Sequence, residues 1–75
     1  MPFAYILINC EIGAEDRVLK EIKKMKYVTE VYTLYGVYDI IAKVEAGTMN
    51  ELKEVVFSNI RKLDKVRSTT TLTVM

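Results

Sequence analysis

Residues 3–11 (FAYILINCE) constrain the fold more than any other segment. Read as a strand, they are apolar on both alternating sets. Ala4, Ile6, Ile8 and Cys10 lie on one face, and Phe3, Tyr5, Leu7 and Asn9 on the other. Side chains alternate along a strand, and a strand apolar on both sides has to be covered on both sides. The chain has 75 residues, the size of one domain. A domain this short buries only about 60% of the surface its unfolded chain exposes. Small domains gain stability from disulfides, metals or oligomerisation. Cys10 is the only cysteine and there is no His, which removes an intrachain disulfide and a thiolate or imidazole metal site. Oligomerisation remains, and 51% apolar residues supply the material for it.

The rest of the chain alternates between periods. Gly13 ends the first strand. Val18, Leu19, Ile22 and Met25 recur at helical spacing and predict a helix over 15–26. Its acidic residues, Glu15 and Asp16, come first and its lysines late, matching the helix dipole. Residues 28–35 (VTEVYTLY) are rich in β-branched and aromatic types and predict a strand. Residues 36–39 make a turn, and 40–45 (IIAKVE) the return strand of a hairpin. Thr48 and Glu51 have capping-box spacing at the head of a helix over 48–63, whose apolar stripe is Leu52, Val55, Val56, Ile60 and Leu63. Residues 66–75 (VRSTTTLTVM) predict the last strand. The order β-α-β-β-α-β predicts an α+β, ferredoxin-like sandwich: a four-stranded antiparallel sheet with two helices on one face. No linker or low-complexity tract divides it. The other sheet face carries the first strand's second apolar set, with Tyr32, Leu34, Tyr38, Ile40 and Ile41 expected beside it. Such a patch marks an interface, so a homodimer through the open sheet is expected.

Composition excludes several chemistries. The net charge is +1, from 11 basic and 10 acidic side chains, so no basic field draws in nucleic acid. The third strand lacks the basic-aromatic pattern of sheet-based RNA binders. No apolar run reaches the length of a membrane span, and the start lacks the charged region of a signal peptide. Direct DNA binding and membrane insertion are therefore not expected, and a cytoplasmic location is. The absence of Gln, His and Trp, with abundant Lys and Glu, leans towards a thermophilic source. Without His, no Ser-His or Cys-His nucleophile pair can be built. The three glycines are isolated and make no phosphate loop. No cofactor is expected, and Cys10 reads as a small buried hydrophobe.

Two segments remain as candidates: residues 35–39 (YGVYD) and 68–73 (STTTLT). Gly36 either lets backbone approach a ligand or supplies a turn. Asp39 either binds a ligand or stabilises the turn through nearby N–H groups. The threonines either offer hydroxyls or simply suit a strand.

Taken together, residues 31–44 (VYTLYGVYDIIAKV) resemble the hairpin signature of the Lrp/AsnC family, with Gly-x-Tyr-Asp between two strands. Residues 66–74 resemble that family's last core strand. The resemblance covers nearly the whole chain but only the effector half of the usual family protein. With no helix-turn-helix ahead of it, the chain is similar to a stand-alone RAM module. The resemblance implies no catalysis. It implies a sheet-paired dimer that assembles into an octamer or similar ring and binds free amino acids in clefts between dimers. It implies Leu34, Tyr35, Gly36, Tyr38 and Asp39 as ligand-binding residues, with Thr69 and Thr71 as polar contributions from the last strand. Asp39 would accept from the ammonium, while backbone N–H groups near Gly36 and the threonine hydroxyls would serve the carboxylate. Full-length Lrp/AsnC regulators are possible partners. The competing expectation is a small dimeric α+β barrel enzyme, of the monooxygenase or isomerase kind, working inside a barrel closed by the same sheet face.

Overall fold

The computed structural model describes residues 2–74. It contains β1 (Phe3–Cys10), α1 (Glu15–Lys23), β2 (Val28–Thr33), β3 (Ile40–Glu45), α2 (Met49–Glu54) and β4 (Val66–Val74). Between α2 and β4 the helix continues as a π-helical segment, Val55–Ile60. The sheet order is β2-β3-β1-β4, with every neighbouring pair antiparallel. This is the expected ferredoxin-like arrangement. The strand apolar on both faces occupies a central place, flanked by β3 and β4. The smallest dimension is 17 Å, room for a sheet and one helical layer about 10–12 Å thick.

One face of the sheet makes the core. Ala4, Ile6, Ile8 and Cys10 of β1 line up with Ile40, Ala42 and Val44 of β3, in a register that sets Ile6 opposite Ala42 and Ile8 opposite Ile40. Val18 and Ile22 descend from α1; Leu52, Val55, Val56 and Ile60 come from the second helix. All are buried. Thr48 caps α2, its hydroxyl accepting from Glu51 N–H at 3.2 Å. The Glu51 carboxylate takes the Thr48 hydroxyl at 3.2 Å and the Tyr27 hydroxyl at 2.7 Å. These hydrogen bonds, Tyr27's first, hold the Glu51 carboxyl below its ordinary range. They also fasten the turn after α1 to the start of α2.

Several boundaries differ from the sequence expectation. α1 ends at Lys23 rather than Lys26, because Tyr27 takes φ 75° and turns the chain into β2. A positive φ at a bulky residue is costly, and the Tyr27–Glu51 bond helps hold it. β2 stops at Thr33, two residues early. Leu34 N–H still donates to the Asp39 carbonyl at 2.7 Å, and the tip beyond it is free of the ladder. The second helix widens into π geometry after Glu54, with Arg61 N–H bonded to the Val56 carbonyl at 3.0 Å. Leu63 follows the helix instead of ending it, yet still packs on the core. Val66–Val74 forms the last strand as expected, and Met75 lies outside the described residues.

The other sheet face has no helix on it. Phe3, Tyr5 and Leu7 are half-buried there, while Tyr32 and Leu72 are at least half exposed. Ile41 joins them, but Ile40 does not. Its side chain points to the helices and is fully buried, as strand alternation requires. Tyr38 reaches onto this face, its hydroxyl 3.2 Å from that of Thr70. Lys43 stands in the middle, 4.7 Å above the Phe3 ring and paired with Glu45 at 3.2 Å and Glu30 at 3.8 Å. The face is thus largely apolar, and Lys43 is already paired there with two carboxylates.

Cys10 ends β1 in the core, 4% exposed. Burial first, then the carboxylates of Asp39 and Glu15, push its thiol from 9.0 up to about 11. The unfolded thiol releases its proton near 9, while the folded one keeps it until about 11. This contribution to stability is therefore complete below pH 9 and lost as pH rises from 9 to 11. Denaturant unfolding across that window will show a decline that Cys10→Ala reduces. At pH 8 the native thiol will resist an alkylating reagent that labels the unfolded chain at once. In the core, Ile6→Ala will cost about 2–5 kcal/mol, and Thr48→Ala about 1 kcal/mol through the lost cap, both read from urea midpoints.

Candidate functional site

The end of β1 is where the sheet ladder fails. β3 begins only at Ile40, so the chain before it diverges from β1 and leaves Cys10 N–H without a ladder carbonyl from that side. Asp39 fills the gap: its Oδ2 accepts from Cys10 N–H at 2.9 Å, and its own N–H donates to the Ile8 carbonyl at 3.0 Å. A buried N–H left unmet is costly, so the Asp39 carboxylate is held in one place by the backbone. The expectation that Asp39 serves a backbone N–H holds in altered form: the N–H lies on another strand rather than within its own turn.

Around this carboxylate lies a cleft of about 440 Å³ lined by Asn9, Cys10, Ile12, Glu15, Val37, Asp39, Arg67 and Ser68. That volume suits a small ligand. Asn9 Nδ2 donates to the Ser68 hydroxyl at 3.3 Å across the floor. Glu15 accepts from Gly13 N–H at 3.3 Å. The rim is apolar and bare: Ile12 is 97% exposed and Val37 84%.

The seven expected site residues separate into four groups. Asp39 lies in the cleft. Leu34, Tyr35 and Gly36 form the hairpin tip beside it. Tyr35 is fully exposed and Gly36 has φ 144° with open space where a Cβ would be, so the glycine answers a backbone requirement rather than a close contact. Tyr38 turns onto the open sheet face to meet Thr70. Thr69 and Thr71 pair with Ile8 and Ile6, whose side chains point towards the helices. Within one subunit they therefore lie on the opposite side of the sheet from Tyr38, and neither lines the Asp39 cleft.

Ser68 opens the candidate segment 68–73, whereas Arg67, Asn9 and Glu15 lie outside both candidate segments. The place of Arg67 depends on a β-bulge. Asn9 pairs with Ser68 but Cys10 with Val66, so Arg67 is an extra residue in β4. A bulge re-aims a side chain and leaves no mark in apolar periodicity. Arg67 also borders a second hollow of about 300 Å³, with Arg61, Val66, Ser68 and Thr69.

The described residues contain no group of three or more His, Cys, Asp or Glu side chains placed to hold a metal ion, and no helix long and apolar enough to cross a membrane.

Comparison with known proteins places this architecture. Regulatory protein AsnC of Escherichia coli is 33% identical over 75 residues, spanning 91% of this chain and 49% of that protein. Its solved structure superposes with a TM-score of 0.90 at 28% identity, covering 99% of this chain and 50% of that one. A hypothetical protein from Pyrococcus horikoshii gives a TM-score of 0.94 at 35% identity, covering all of this chain and 90% of that one. A homocitrate synthase of Sulfurisphaera tokodaii is 37% identical over 73 residues, 96% of this chain but 16% of the enzyme. The chain thus spans about half of AsnC and a small part of the synthase. The model of the Lrp/AsnC ligand binding domain matches residues 3–75, and with that match the chain belongs to the Lrp/AsnC ligand-binding domain family.

Proposed function

We propose that this module, residues 1–75 acting as one unit, senses free amino acids and converts their binding into a change of assembly. The observation that carries the reading is the Asp39 carboxylate. It is fixed by Cys10 N–H at 2.9 Å and presented in a cleft of amino-acid size. A pinned carboxylate accepts an ammonium with little ordering cost. The bare rim of Ile12, Val37 and the hairpin tip supports a site completed by a neighbouring subunit. In the assembly we propose, Thr69 and Thr71 approach a ligand from another subunit, since their own subunit keeps them away from Asp39.

The open sheet face supports a homodimer. It offers Phe3, Tyr5, Leu7, Ile41 and Leu72, with Lys43 already paired inside its own subunit. A second copy covers this face, and dimers join through the hairpin ends into an octamer or similar ring. A ligand that binds only the assembled form favours it by mass action, about 2.7 kcal/mol at a hundredfold excess over its Kd. Full-length Lrp/AsnC regulators in the cytoplasm are the natural partners, since the same unit forms part of AsnC. A second reading rests on the homocitrate synthase. A similar unit inside a biosynthetic enzyme supports control of an enzyme's assembly by the same means.

Light scattering after size-exclusion chromatography, with and without individual amino acids, tests the reading. A mass or melting temperature that shifts with particular amino acids supports it; an oligomer indifferent to all of them ends it. Leu7→Glu, which places a charge in the middle of the open face, will yield a monomer. Asp39→Asn keeps an acceptor for Cys10 N–H and removes the charge, so it will lose the ligand response while its melting temperature stays near that of the parent. Asp39→Ala additionally strands the N–H and will melt earlier.

A further inference from the structure

We infer that Arg67 is the carboxylate-binding residue of this cleft, so that each subunit carries both charges needed to hold an amino acid's backbone. The inference rests on the amino-acid reading above and adds the group that recognises the second half of the ligand.

Three observations meet at Arg67. The first is placement. β1 lies between β3 and β4, and at its end Asp39 approaches from one flanking strand and Arg67 from the other. Strands are spaced about 4.8 Å apart, so these two backbones stand about 10 Å from each other across the floor of Asn9 and Cys10. The second is aim. Arg67 is the extra residue of the bulge opposite Asn9 and Cys10. A regular strand would have two residues where this one has three, and bulges characteristically turn a side chain towards a site. The third is vacancy of charge. Among the described residues the ion pairs belong to Lys43 and Lys65, and Arg67 joins none of them, although Asp39 and Glu15 line the same cleft.

Opposite charges that face one cleft without touching are the complement of a zwitterion. The ammonium goes to the fixed Asp39 carboxylate. The carboxylate meets the guanidinium, whose planar fork matches it with two parallel N–H bonds. The Ser68 hydroxyl, already an acceptor from Asn9, is free to donate its own hydrogen to the same carboxylate. The ligand side chain is then directed outwards, past Ile12 and Val37, to whatever covers the rim. Backbone recognition lies within one subunit and side-chain selection outside it.

The arrangement predicts strict demand for a free α-carboxylate. Isothermal titration of the full chain is run with each L-amino acid and with its carboxamide, in which a neutral amide replaces the carboxylate. The wild type is expected to bind the acid form about 10- to 100-fold more tightly than the amide, the worth of a charge-assisted pair. Arg67→Met keeps the aliphatic stem and should bind acid and amide alike, at the amide's level. Arg67→Lys should restore part of the preference. Asp39→Asn should weaken both forms and leave their ratio unchanged. Circular dichroism and melting temperature confirm that each variant is folded. An Arg67→Met protein that still prefers the acid as strongly as the wild type overturns the assignment while leaving amino-acid sensing intact. A wild type that binds no amino acid removes both.

Discussion

The structure depends on a strand that needs cover on both faces in a chain with helices enough for one. β1 pairs through its two edges with β3 and β4 and turns Ala4, Ile6, Ile8 and Cys10 to the helices. That side is complete: the core residues are buried and no buried side-chain polar atom among the described residues lacks a partner. The opposite side is only partly clothed, by neighbouring strands, by Tyr38 and by the stem of Lys43. A surface of this kind is stable in water only at a cost, because apolar area is left wet. That wet apolar area is the physical basis of the homodimer proposed above.

The same economy governs the end of β1. Where β3 leaves the sheet, one N–H would be stranded, and Asp39 supplies the missing acceptor. In the proposed reading the carboxylate that closes the fold is also the one offered to the ligand, so structural and binding roles would share one side chain. On the other edge, the bulge at Arg67 breaks the pairing of β4 at the same level of the sheet. Two interruptions of regular pairing, one on each side of a central strand, open a polar cleft at the end of an apolar slab. Ile12 and Val37 line it and, with Tyr35 at the nearby hairpin tip, stand exposed. In the assembly we propose, ligand and subunit contact are adjacent, which is the condition for one to influence the other.

The matched relatives carry a similar stretch inside larger proteins of different kinds, a regulatory protein and a homocitrate synthase.

Element order, the sidedness of β1, the Thr48 cap and the buried helical stripe were legible in the sequence, because alternation at two residues and at 3.6 is imposed locally by backbone geometry. Asp39 stood out for its place after Gly36, Val37 and Tyr38. The assignment of Ile40 to the open face was wrong by one residue of phase, and in a strand that reverses the side. The early ends of α1 and β2 were hidden because Tyr27 and Leu34 have no unusual propensity; a tertiary hydrogen bond holds one, and divergence of two strands releases the other. Thr69 and Thr71 fitted a pattern, but pairing with Ile8 and Ile6 turned them from the cleft. Arg67 and Glu15 entered it from segments far apart in the chain. The sequence by itself determined which faces are apolar and in what order the elements come. Only the tertiary structure decided which charges share the cleft, because a bulge and a broken ladder are set by pairing between distant strands, and no local periodicity records them.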